Sequence, residues 1–174
     1  MAPNSSDDAT VVTASEPWMP PMIDTTQATT RRVLGALAGG CAVALIGAGV
    51  EGLAHARGWW RYTSGDTPVG PLAMYPLLVV AFAFLALIGW RVMRRFGLRG
   101  LTVFLAILAV IGTLRDYFIA GSLMGLVVIA PGVALAIIDA LLWAGLTALA
   151  ITVMRAVSGP SRDDRLVRRP GHPV

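Results

Sequence analysis

The sequence predicts an all-α integral membrane bundle of four transmembrane helices with both termini cytoplasmic. Three observations carry that prediction. Hydrophobic residues make up 56% of the 174-residue chain and charged residues only 14%, against about 45–50% and about 25% in ordinary soluble domains. The apolar residues fall into four runs, each near the ~20 residues needed to cross a bilayer. The basic residues, all arginine, flank those runs unevenly. With the N-terminus inside, Arg31, Arg32, Arg91, Arg94, Arg95, Arg99, Arg155, Arg162, Arg165, Arg168 and Arg169 lie on the cytoplasmic side, and Arg57, Arg61 and Arg115 on the other. Eleven against three is the positive-inside pattern, and it requires an even number of crossings.

Residues 1–32 are rich in Ser, Thr, Asp and Pro and have no apolar helical face, so they read as a disordered cytoplasmic tail. The start is acidic and no apolar core appears before Val33, unlike a signal peptide. The first span is expected at about 33–54. Its Gly35-x-x-x-Gly39 pair and the row Gly40, Ala44, Ala48 and Gly52 permit close helix approach in lipid, here read as packing within the chain.

A polar loop over 55–70 carries Trp59, Trp60 and Tyr62, rings suited to the headgroup region. The second span is expected at about 72–93, with Pro76 near its start. A tight basic turn leads to the third, at about 100–118. Residues 119–132 are apolar and Gly-rich and either dip into the bilayer or lengthen a neighbouring helix. The fourth span is expected at about 133–154, followed by a disordered basic tail over 155–174. Residues 33–154 thus form the transmembrane domain, and the predicted location is the cell membrane, as a multi-pass protein.

This topology gathers polar residues from all four spans at the non-cytoplasmic end. Glu51 and His55 share a face at the end of span one, and Tyr75 lies early in span two. Arg115, Asp116 and Tyr117 close span three. Asp139 lies six residues into span four, about 9 Å deep, with Trp143 one turn deeper. Charges in lipid are costly, about 2.5–3.5 kcal/mol at the centre, so these groups should face inward and pair. One network pairs Asp139 or Glu51 with Arg115 and Asp116 with Arg57; the sequence does not choose between these pairings.

Glu51 and Asp139 are the candidate acids. His55, Arg57, Trp59, Trp60, Tyr75, Arg115, Asp116, Tyr117 and Trp143 are the candidate ligand-binding residues. Cys41 is the only cysteine, and the only histidines are His55 and the tail residue His172. Cysteine redox pairs and bis-histidine haem are thereby excluded, and no cofactor or metal is expected. The chain shows no basic-plus-aromatic pattern for nucleic acid, and no P-loop, Gly-x-Ser-x-Gly or His-Glu-x-x-His motif.

The expected partners are the lipid bilayer and a lipid-soluble ligand, a partner membrane protein or a second copy of the chain. The expected role is a lipid- or partner-binding membrane component. One alternative is a membrane-embedded enzyme using a buried carboxylic acid on an isoprenoid-like lipid. The other is a proton-coupled small-solute carrier.

Overall fold

The computed structural model describes residues 25–64 and 69–159. The chain is mostly helical, and three helices are long and apolar enough to cross a membrane. They are α1 (Thr25–Ala56), α2 (Met74–Leu114) and α3 (Val133–Ser158), and each packs against the other two. A π-helical stretch, Arg115–Leu123, continues α2. Two short strands, β1 (Trp60–Tyr62) and β2 (Val127–Ile129), form an antiparallel ribbon.

α2 has 41 residues. Straight, it would run about 60 Å at 1.5 Å per residue, twice the ~30 Å hydrocarbon layer. It is not straight. Gly97 has φ 66° and ψ −157° inside it, a left-handed backbone that a residue without Cβ adopts freely. A Cβ on Gly89 would stand 3.0 Å from the Phe104 ring, although a continuous helix would separate these positions by about 22 Å. The chain therefore folds back at Gly97, and the limbs 74–96 and 98–114 lie side by side. The sequence expected separate helices at 72–93 and 100–118 joined by a basic turn. Helix persists through that turn on both sides of Gly97, and only the one glycine breaks it.

The core lies at one half of the bundle. Ala36 and Val43 of α1, Phe82, Ala86 and Trp90 of α2, and Ala150, Ile151 and Met154 of α3 are buried together, with Leu101, Phe104 and Leu105 packed on them. Missing side chains allow this closeness. A Cβ on Gly39 would overlap the Ala150 carbonyl, and one on Gly40 the Val79 carbonyl. One on Gly35 would come within 2.9 Å of the Met154 carbonyl. The Gly35/Gly39 pair thus packs α1 onto α3 within the chain, as the sequence suggested. Two turns along, Gly47, and beyond it Gly49 and Gly52, have nothing within 4 Å of a Cβ position. The helices touch backbone to backbone at one end and splay at the other.

The closed end is the arginine end. The Trp90 ring lies between the Arg32 and Arg94 guanidinium groups, 4.8 and 4.6 Å from its centroid, and Ser158 donates to the Arg31 carbonyl at 3.1 Å. Large apolar side chains such as Leu45, Phe84 and Leu141 point outward from all three helices, a surface suited to lipid rather than water. The hydroxyls of Thr102, Thr147 and Thr152 donate to carbonyls four residues back in their own helices, which removes their cost in an apolar setting.

Three boundaries differ from the sequence reading. α1 begins at Thr25 rather than near Val33, and α3 runs to Ser158 rather than Met154. The apolar stretch 119–132 becomes the end of the π-helix and strand β2, so the fold is not purely helical. Most of the tails expected at 1–32 and 155–174 lies outside the described residues.

Replacing Gly39 with leucine should lower the thermal midpoint of the detergent-solubilised protein, at a cost of about 1–3 kcal/mol from overpacking. Alanine at Gly47 should leave that midpoint unchanged.

Candidate functional site

The splayed end is tied together by Glu51, in the last turns of α1. Its Oε1 accepts from the Tyr62 hydroxyl at 2.9 Å. Its Oε2 accepts from the Gly70 N–H at 2.8 Å and from the Tyr75 hydroxyl at 2.6 Å. One carboxylate thus joins α1, β1, the approach to α2 and the first turn of α2. Burial first, and then the Glu51 charge, raise the Tyr62 hydroxyl above its usual 10.0.

The ribbon closes the end above it. Trp60 pairs with Ile129, Arg61 with Val128 and Tyr62 with Val127. Ala130 N–H donates to the Trp59 carbonyl at 2.8 Å, and Thr63 N–H to the Leu126 carbonyl at 3.1 Å. Side chains alternate across a strand: Arg61 and Val128 are exposed, whereas Trp60, Tyr62, Val127 and Ile129 face a cavity.

The π-helical stretch supplies a further wall. Its wider turns re-aim side chains relative to a continuing α-helix, and Arg115, Asp116, Ile119 and Ala120 line the cavity. The Arg115 guanidinium donates from Nη1 to Asp116 Oδ1 at 2.6 Å. The Trp143 indole donates from Nε1 to Asp116 Oδ2 at 2.8 Å. Trp143 lies flat against α2 where Gly112 has no side chain, and it stacks on Phe82 with centroids 5.7 Å apart and planes at 20°.

The cavity, partly open to its surroundings, is about 180 Å³. A single water needs only about 10–15 Å³ on that measure, so the cavity admits an organic molecule. Its floor and sides are Val43, Gly47, Val50, Met74, Leu78, Phe82, Leu142 and Leu146. Asp139 also lines it. The buried Asp139 Oδ2 has no hydrogen-bond partner, and neither do the buried hydroxyls of Thr113 and Tyr117, both of which lie close enough to Asp139 to interact with it.

Of the residues singled out from sequence, Glu51, Trp60, Arg115, Asp116, Asp139 and Trp143 line one cavity. Tyr75 reaches it through Glu51 and Tyr117 through Asp139. His55, Arg57 and Trp59 are not among the lining residues. The ion pairing differs from the expectation. Arg115 takes its own neighbour Asp116 rather than Asp139 or Glu51, because the π-turn sets their side chains together. Arg57, expected on Asp116, is exposed. Tyr62, Thr113, Gly70 and the residues of β2 were not foreseen as site residues. A usable signal existed for the ribbon: Val127-Val128-Ile129 is a β-branched run bounded by Gly125 and Pro131, and Trp60-Arg61-Tyr62 alternates. Comparison with protein-family models, curated proteins and solved structures returned no match.

Replacing Tyr62 with phenylalanine should cost about 1–3 kcal/mol, the worth of a hydrogen bond to a charged group, and should speed amide exchange over 59–70. The raised hydroxyl adds a pH dependence. Below about 10 both folded and unfolded forms keep the phenol neutral. As pH rises past the unfolded value only the unfolded form ionises, and stability is lost through the folded one. Wild-type thermal midpoints should fall above pH 10, and the Tyr62→Phe fall should be shallower.

Proposed function

We propose that this chain is a multi-pass protein of the cell membrane, with four transmembrane segments and both termini cytoplasmic, and that its cavity at the non-cytoplasmic end binds a lipid-soluble molecule. The observation that carries the reading is the cavity of about 180 Å³, apolar on its floor and sides and polar where Asp139, Asp116 and Arg115 meet it. Binding sites for small molecules have this composition: mostly hydrophobic walls with a few placed polar groups. Four crossings are supported by α1, the two limbs of α2 and α3. The inside placement of the tails is supported by the arginines, which gather at the closed end.

The carboxyl groups divide by role in this reading. Both oxygens of Glu51 are occupied by donors from the loop and α2, so Glu51 clamps the end of the bundle. Asp116 is occupied by Arg115 and Trp143 and orients the cavity wall. Asp139 alone offers an unengaged oxygen, and the enzyme alternative therefore rests on it as the acid rather than on Glu51. The carrier alternative needs a route through the closed half, where Ile151, Met154 and Trp90 are packed, and that half gives it no support.

Native mass spectrometry of the protein, extracted gently from its own membranes, tests the reading. The wild type should carry one small lipid-soluble molecule per chain. Gly47→Phe should lose it, because that position faces the cavity with nothing within 4 Å of a Cβ. Equal occupancy in both proteins, or bulk phospholipid alone in the wild type, would refute it. A stoichiometric second protein would replace it with a partner-binding role.

A further inference from the structure

The carboxyl groups around the cavity are matched with one exception, and that exception specifies a ligand chemistry. Glu51 receives three donors. Asp116 receives a guanidinium and an indole, and Arg115 is committed to Asp116 while its guanidinium lies 5.8 Å from the centroid of the Trp143 ring. What remains is Asp139. Its buried Oδ2 lines the cavity and has no partner. Buried polar atoms without partners are rare and costly, so this oxygen marks a demand that an occupant meets.

We infer that the molecule taken by the cavity carries a protonated amine, or an equivalent N–H-bearing cation, on an apolar body, with its nitrogen seated on Asp139. The inference rests on the reading of the cavity as a ligand site. An ammonium group brings three donors and no acceptor, which suits an unengaged carboxylate oxygen. It also brings positive charge to a cavity lined by three carboxyl groups, Glu51, Asp116 and Asp139, and one guanidinium, Arg115. A carboxylate or phosphate ligand would set like charge beside Asp139 and Asp116 while the nearby cation is engaged. An alcohol would bring one donor and no charge. The apolar body finds Leu78, Phe82, Leu142 and Leu146, and the stacked Phe82–Trp143 pair offers an aromatic surface to a cation or a flat ring.

Three probes with the same body and different heads test this: naphthylethylamine, naphthylethanol and naphthylacetate. Each is titrated at neutral pH into the full-length protein in nanodiscs, with binding to empty nanodiscs subtracted. The amine should bind about tenfold or more tighter than the alcohol, the range a charge-assisted hydrogen bond supplies, and the acetate should bind weakest. Asp139→Asn should remove the preference for the amine over the alcohol. The wild-type order of the three probes tests the inference even if that variant fails to fold. An alcohol that binds as tightly as the amine, an acetate that binds tighter, or a preference that survives in Asp139→Asn would overturn the assignment of a cation and leave the cavity reading standing. Failure of all three probes to exceed empty nanodiscs, or binding unchanged by Gly47→Phe, would overturn the cavity reading and this inference together.

Discussion

The shape of this bundle depends on backbone contact at a few glycines. Lipid offers helices no hydrophobic reason to associate, so close packing through small residues has to hold them. At Gly35 and Gly39, α1 lies on the backbone of α3, and at Gly40 on that of α2. Gly89 admits Ile151 and Phe104 from two sides. These approaches sit at the arginine end. The helices cannot remain so close where Phe82 and Trp143 must be accommodated between them, so they diverge. The cavity is the geometric result of tight contact at one end and bulky aromatics farther along.

A diverging bundle leaves polar backbone and loop segments near an open end, and that end needs its own closure. Glu51 supplies it. A carboxylate with two hydroxyl donors and one amide donor satisfies three groups that would otherwise meet apolar surroundings. The β1–β2 ribbon acts in the same way on the backbone: it pairs Trp60–Tyr62, after α1, with Val127–Ile129, before α3, and so satisfies backbone groups that helices leave open. The π-helical stretch completes the arrangement by setting Asp116 into the cavity wall with the more exposed Arg115 beside it.

Much of this architecture was legible in the sequence, and the unreadable parts share a cause. Apolar runs of membrane length, their arginine flanks and the Gly35/Gly39 pair depend on local composition, and each corresponds to a feature of the fold. The layer formed by Glu51, Asp116, Asp139 and Trp143 was legible too, because depth along a helix follows from counting residues. Partner choice was not. Whether Arg115 meets Asp139 or Asp116 depends on a few tens of degrees of helix rotation, and the π-turn that decides it leaves no periodic trace in Arg115-Asp116-Tyr117. Glu51 was read as a candidate acid because its donors, Tyr62 and Gly70, lie across a loop whose course the sequence does not specify. His55 was read into the site because it shares a helix face with Glu51, but α1 ends one residue later at Ala56 and the chain turns away through Gly58 (φ 67°).

Asp139 is the one carboxyl group for which the depth argument and the contact argument agree. Its depth in α3 makes solvation by headgroup water expensive for so short a side chain. The remedy used for the other two carboxyl groups, donors from the chain itself, is incomplete there, and Oδ2 has no partner. Thr113 and Tyr117 stand close by and donate elsewhere to nothing. A fold that satisfies Glu51 with three donors and Asp116 with two, yet leaves an Asp139 oxygen unpartnered beside an apolar cavity, has placed its unmet electrostatic demand where a small molecule can reach it. That asymmetry, more than the presence of carboxyl groups, supports the proposed ligand site over a set of structural ion pairs.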